Sequence, residues 1–420
     1  TADTMVCGQL LGNTALAGVG ACAPIINLLV NLFTGLSVGS NVVIAIYVGR
    51  KDDEKTTLAV HTSVLLALVS GLIIVVAGLV VSDPMLRAIG TPDSAMPDAL
   101  TYLHIYFLGM PAAALYNYGN GVLNAIGDTK TPLIFLSTAG VLNVILDLVF
   151  VIGLGMSTDG VALASMLSQC VSAGLIVRSL MRSRDIYRLS PRELRFRKDK
   201  AVHVLTIGVP AGLQNAIFSV ANLFIQAGVN SFSTVVVEGN SAAGNVDNLV
   251  YSVMNAFYIA CSSFVGQNYG AGNKKRAKKS MFTGIAIGLA FGCAMFALVW
   301  FKGDALSAIF TTDAAVIANA FAYLRGFAPE TMATAVLFSM IGYFNGNDKT
   351  VWVMVQGLVQ TLLVRLPMAY IMSIQPNASL TMIGLAAPTS TVVGILLNVC
   401  FFLSLEKKSA GHQAAPRVQK

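Results

Sequence analysis

Charge is what this sequence has least of. Asp, Glu, Lys and Arg make up 11% of its 420 residues, against about 25% in an ordinary soluble domain. Hydrophobic residues make up 55% and the mean hydropathy is +0.72. A chain with so little polar surface cannot cover itself in water, so its solvent is lipid. Catalytic and metal-binding signatures are missing as well. The six cysteines (Cys7, Cys22, Cys170, Cys261, Cys293, Cys400) show no CxxC or Cys/His spacing and read as small core residues. There is no Walker loop, no GxSxG and no HExxH, which argues against an ATP-driven pump. A membrane enzyme such as a prenyl transferase would want paired DxxxD motifs, and Asn143 to Asp147 supplies just one acid. TADTMVCGQLLG lacks the basic stretch and separate cleavage site of a signal peptide.

What is present is a series of long apolar runs. Stretches of about 20 or more residues bounded by polar turns predict eleven crossings, near 15–48, 56–81, 97–125, 132–154, 160–181, 203–230, 236–268, 279–301, 315–344, 351–374 and 381–405. Prolines 24, 111, 210, 329, 367 and 388 mark the expected kinks. Nearly all of the 27 basic residues fall in loops on one side, with Arg87 and Lys302 on the other. That split is the positive-inside rule, and it predicts a cytoplasmic 182–200 linker and a cytoplasmic C-terminus. The net charge of +7 is thus a matter of topology, and no nucleic-acid partner is expected.

The halves echo each other at an offset near 220. GDTKT at 127–131 matches GNDKT at 346–350, and MLRAIGTPD at 85–93 matches ALSAIFTTD at 305–313. Equivalent loops lie on the same side, so the repeat is parallel, with an even number of spans per unit. The expected fold is an all-α polytopic membrane protein built as two six-helix lobes, with residues 1–11 as the outer end of a truncated first helix and both ends of the intact six-plus-six protein cytoplasmic. The divisions are a lobe at 1–181, a basic cytoplasmic linker at 182–200, a second lobe at 201–405 and a tail at 406–420.

Polar groups inside such runs are expensive, at about 2.5–3.5 kcal/mol for a central carboxylate on insertion scales. Asn143 and Asp147 are four apart and share a helix face. Asp3 and Ser165 are expected at nearly the same depth, which brings two carboxylates, an amide and a hydroxyl to one level. That set suits a site trading H⁺ or Na⁺ against cargo. Glu330, in mid-span after Pro329, is a second candidate, as a cation or substrate contact or as a residue of a solvated cavity. Asp247, Arg325 and Arg365 read as packing or interface charges, and His61 and His104 as solvated groups near span ends. The aromatics and methionines Phe218, Phe224, Tyr251, Met254, Phe257 and Tyr258 read first as core, with a cation-accepting cavity wall as the other reading.

ADTMVCGQLLGNTALAGVG, GVLNAIGDTKTP, LNVILDLVFVIGLG, TDGVALAS and AAGNVDNLVYSVMNAFYIACSSFVGQNYGAGN together resemble the multidrug and toxic compound extrusion family, over essentially the whole chain. The resemblance implies two lobes facing across a central cavity, alternating access, and export of amphipathic, often cationic, organic drugs as an inner-membrane antiporter of a bacterium. It places the family's cation site on Asp3, Asn143, Asp147 and Ser165, where Na⁺ would bind in a Na⁺-coupled member. The acid that some members carry in the seventh helix has no counterpart in GVPAGLQNAIFSVANLFIQAG, which leaves Glu330 as the only mid-span acid to replace it. No cofactor is expected beyond the coupling ion, H⁺ or Na⁺, and no partner beyond the bilayer and the small-molecule cargo, with the protein a monomer. The rival readings are a flippase for lipid-linked sugars and another six-plus-six secondary transporter.

Overall fold

The computed structural model describes residues 3, 6–183, 185–229, 234–309, 313–373, 375 and 380–414. Among them every long regular element is helical, as lipid demands of a backbone that must satisfy its own hydrogen bonds. A π-helical turn, Cys7–Leu11, precedes α1 (Asn13–Arg50), and α2 (Asp53–Ala88) follows. Next come α3 (Met96–Leu108), α4 (Met110–Ile126), α5 (Lys130–Leu148) with a π turn at Val149–Gly153, and α6 (Thr158–Arg182). Beyond the linker lie α7 (Lys198–Val229), α8 (Thr234–Gly270), α9 (Lys274–Ser307), α10 (Ala314–Phe327) and α11 (Glu330–Gly346). The chain ends with α12 (Thr350–Leu358), a π turn at Val359–Arg365, α13 (Leu366–Ser373), α14 (Leu380–Gly384) and α15 (Ala386–Ala414).

Two compact units result. One comprises Thr1–Ser219 with Gly266–Asn273, the other Val220–Val265 with Lys274–Lys420. In the first, α4 is the central helix, packed on α1, α2 and α6. In the second, α11 packs on α9 and α15, and α10 on α14.

Among the described residues nine helices are long and apolar enough to cross a membrane, and ten if the bent pair α3–α4, which turns through 48°, is one span. The run expected at 315–344 is instead two helices of 14 and 17 residues, α10 and α11. They part at Ala328–Pro329, because proline supplies no N–H and its ring displaces the preceding turn. The bend in the first unit lies at Gly109, two residues before Pro111.

The recurring GDTKT and GNDKT segments are turns with one job. Gly127, at φ 93°, ends α4 in a left-handed turn, and the Asp128 carboxylate accepts the Thr131 N–H at 3.0 Å to begin α5. Between α11 and α12 the left-handed position is Asp348, at φ 60°.

The start of α2 gives a pH-dependent prediction. Asp52 is its N-cap, accepting from Lys55 N at 3.1 Å and from Lys55 Nζ at 2.6 Å. The Lys55 side-chain bond, followed by the backbone bond, holds the Asp52 carboxyl below its ordinary value of 3.8. A lowered acid stabilises the folded state fully above its unfolded pKa and loses that contribution as pH falls through the lower folded value. Asp52→Ala is therefore expected to speed amide exchange in the first turn of α2 at neutral pH. Wild type and mutant should converge below pH ~3.8; a difference that persists in acid would rule the cap out as the cause.

One expectation fails here. His61 is not solvated: it is 2% exposed and its Nε2 accepts the Ser190 N–H at 3.1 Å. The linker folds back over the start of α2, and Thr57 Oγ1 donates to the Ile186 carbonyl at 2.7 Å as well. His104 stays half-exposed and also has a protein partner, Ser82 Oγ at 2.7 Å. The cysteines divide, with Cys7, Cys22 and Cys261 buried and Cys170, Cys293 and Cys400 exposed. On a helix facing lipid, an exposed thiol is in an apolar solvent and needs no core.

Candidate functional site

The first unit brings the four expected residues together. The Asp3 carboxylate accepts from Ser165 Oγ at 2.7 Å, and Ser165 Oγ accepts from Asn143 Nδ2 at 3.2 Å. Asp147 lies one turn beyond Asn143 on α5, is 0% exposed, and is in electrostatic range of Asp3. Neither of its carboxylate oxygens has an ordinary donor; the group it pairs with is the second carboxyl, that of Asp3. A carboxylate buried without donors is rare and costly unless something positive visits it.

Local backbone features account for this placement. The π turn at Val149–Gly153 begins two residues after Asp147, and such turns shift the helical face by one position, frequently at functional sites. Before it, Asn143 and Asp147 face the bundle; within it Ile152, and just past it Leu154, are 66% and 65% exposed. On the opposite wall Gly12 joins the Cys7–Leu11 π turn to α1 at φ 91°, a conformation that glycine adopts without strain.

The site also contains residues for which the sequence carried no signal. Tyr102 Oη donates to the same Asp3 oxygen at 2.5 Å, and its ring stacks on Tyr106 at 6.0 Å. Asp98 accepts from Thr158 Oγ1 at 3.1 Å, and the fully buried Cys7 is in electrostatic range of Asp3, Asp147 and Asp98. Tyr102 and Asp98 lie on α3, the short half of a broken span, where one tyrosine among several aromatics looks like packing. Among the described residues no three His, Cys, Asp or Glu side chains form a metal cluster. Two carboxylates with hydroxyl and amide oxygens suit a proton or a hard monovalent cation.

Glu330 lies in the second unit, at the first residue of α11. Its Oε1 accepts from Thr334 Oγ1 at 2.9 Å and Thr391 Oγ1 at 2.8 Å, while Oε2 is buried without a partner. Asp247 and Arg365 are within electrostatic range of it. Arg325 instead lies on the exposed side of α10, over the Phe321 ring at 4.4 Å. Of the aromatic and methionine set, Met254 is 0% exposed and packs with Val250, Ala335 and Phe257. Tyr258 Oη accepts from Asn345 Nδ2 at 2.9 Å. Met254 is core and Phe257 and Tyr258 are partly buried against the core, while Phe224 and Tyr251 are 65% and 36% exposed.

Comparison with known proteins agrees with this architecture. The family model MatE matches residues 1–149 and 210–371. Probable multidrug resistance protein YpnP of Bacillus subtilis is 29% identical over 88% of this chain and 83% of its own length. A protein of Shewanella oneidensis named FAD transporter is 23% identical over 96% of this chain and 89% of its own. Among solved structures, an outward-facing multidrug resistance MATE family transporter of the MOP superfamily superposes with a TM-score of 0.88. It is 24% identical, and the match covers 97% of this chain and 92% of that one.

Proposed function

Because the chain belongs to the multidrug and toxic compound extrusion family, a family of multi-span membrane transporters and not of enzymes, we propose that it is a cation-coupled antiporter exporting amphipathic organic compounds. The observation that carries this is Asp147, buried in a membrane helix with no ordinary donor on either oxygen and paired with a second carboxyl, Asp3. Two like charges in one low-dielectric site repel until a proton or Na⁺ arrives. The ion that neutralises them stabilises whichever conformation best closes around it. Its downhill passage is thereby coupled to the outward passage of cargo.

In this reading Asp3 and Asp147 hold the ion, while Ser165, Asn143 and Tyr102 orient Asp3. Glu330 is a second contact, for ion or cargo. The working location is the inner membrane of a bacterium, with the basic loops cytoplasmic. The relatives named as multidrug resistance proteins support drug-like cargo. The relative named FAD transporter favours testing a flavin dinucleotide beside organic cations.

The test is efflux of a fluorescent organic cation, and separately of FAD, from proteoliposomes under imposed pH or Na⁺ gradients. Transport driven by one gradient and not by the other identifies the ion. Movement of neither cargo under either gradient would overturn the proposal and turn attention to lipid-linked sugars.

Ser165→Ala gives a graded check. It removes one donor to Asp3 and the acceptor for Asn143, about 1–1.5 kcal/mol of hydrogen bonding. The ion concentration for half-maximal transport should rise roughly tenfold, with an unchanged maximal rate. An unchanged half-saturation would remove Ser165 from the site.

A further inference from the structure

Polar side chains recur along one face of α12 and its π turn, with Trp352, Gln356 and Gln360 at four-residue intervals. On α15, Thr391, Gly394 and Asn398 form the facing stripe. The hydrogen bonds along these stripes all run one way. Trp352 Nε1 donates to Asn398 Oδ1 at 2.9 Å. Gln356 Nε2 donates to Gln360 Oε1 at 2.6 Å, and Gln360 Nε2 donates to Thr391 Oγ1 at 3.2 Å. Thr391 Oγ1 then donates to Glu330 Oε1 at 2.8 Å.

One link is open. Asn398 Nδ2 is a buried donor without a partner, and Gln356 Oε1 a buried acceptor without one; the two residues are 0% and 1% exposed. Trp352, which holds Asn398, lies one turn from Gln356, and a turn advances about 5.4 Å. A donor and an acceptor held about a turn apart are within reach of a single bridging water. The orphan groups have the right polarity: water accepts from Asn398 and donates to Gln356, which keeps the direction of every other bond.

We propose that a single buried water joins Asn398 Nδ2 to Gln356 Oε1, completing a file of hydrogen bonds that all donate toward Glu330 and position its carboxylate with Oε1 held and Oε2 presented. Thr334 donates to the same Oε1, so one oxygen is held twice and the other is left for a visiting cationic group. Aligned hydrogen bonds polarise one another, so amides that never touch Glu330 act on it through the file. Gly394 is a condition of the arrangement: a Cβ there would meet Gln360 Oε1 at 2.4 Å and Gln356 Nε2 at 2.6 Å. The role of the file in transport rests on the reading of Glu330 as a second contact; the existence of the file does not.

The test is isotope-edited infrared spectroscopy of the full-length protein in lipid with ¹³C-glutamate, the Glu330 carboxylate bands being isolated by subtracting Glu330→Gln. Thr391→Val, which removes the last link, calibrates the shift. Gly394→Ala and Gln356→Leu leave every direct contact of Glu330 in place, and both are expected to move the same bands. Gln356→Leu is also expected to remove one band that is sensitive to exchange into H₂¹⁸O. If Thr391→Val shifts the bands while neither remote variant does, the file is overturned and the amides merely satisfy one another. Two variants are used because one misfolded protein would not decide the matter. Wild-type transport by Glu330→Gln would overturn the functional role alone, and the spectra decide the file independently.

Discussion

Asp147→Asn is expected to abolish gradient-driven efflux while leaving a folded protein that melts at or above the wild-type temperature. The two halves of this result have one cause. Asp147 is 0% exposed and neither carboxylate oxygen has an ordinary donor, its pairing group being a second carboxyl, Asp3, so the folded state bears the expense of dehydrating a charge and recovers little of it. An amide of the same shape carries no charge and cannot take up a proton or hold Na⁺ as an anion does. Removing the charge relieves about 1–3 kcal/mol of unmet solvation and with it the group that senses the ion. Stability gained where function is lost is a familiar sign that a residue is kept for its activity. Efflux in proteoliposomes and thermal melting in the same detergent check both halves. A mutant that transports like wild type, or one that melts well below it, would show that Asp147 is a structural residue.

Gly39→Ala is expected to destabilise the first unit strongly, and Gly20→Ala, on the same helix, slightly to stabilise it. Gly35 and Gly39 on α1 meet Gly208 and Gly212 on α7. A Cβ on Gly39 would fall 2.1 Å from the Val204 carbonyl oxygen, and one on Gly35 would fall 2.4 Å from the Gly212 Cα. Small residues four apart let helix backbones touch in a membrane, where packing rather than water drives association. Backbone cannot move aside as a side chain can, so one methyl group must separate the helices. Overpacking of this kind costs about 1–3 kcal/mol or more, which lowers the melting temperature by roughly 5 °C. Gly20 has nothing within 4 Å of the corresponding position, and there alanine contributes about 0.4–1 kcal/mol by restricting the unfolded chain. Equal effects at the two positions would contradict the close contact.

Sequence and structure divide the credit along a physical line. Properties that depend on neighbours in the chain were legible in the sequence. Composition named lipid as the solvent, and apolar runs placed the crossings within a few residues of most of the helices found. Asn143 and Asp147 share a face because four residues make about one turn, and GDTKT and GNDKT are turns because Gly127 and Asp348 take left-handed positions. The break of 315–344 into α10 and α11 was only half legible: Pro329 signalled a kink, and a kink and a full break share that signal. Properties that depend on which faces meet were decided by the tertiary structure. Nothing near Tyr102 in sequence indicates that its hydroxyl ends on Asp3, 99 residues away. The spacing of Gly35 and Gly39 does not say that α7 lies against them, nor that Gly20 faces open space. The direction of the hydrogen bonds from Trp352 to Glu330 belongs to two helices at once. Helical period and solvent preference act within a few residues, whereas a partner across a helix interface is chosen by packing of the whole unit.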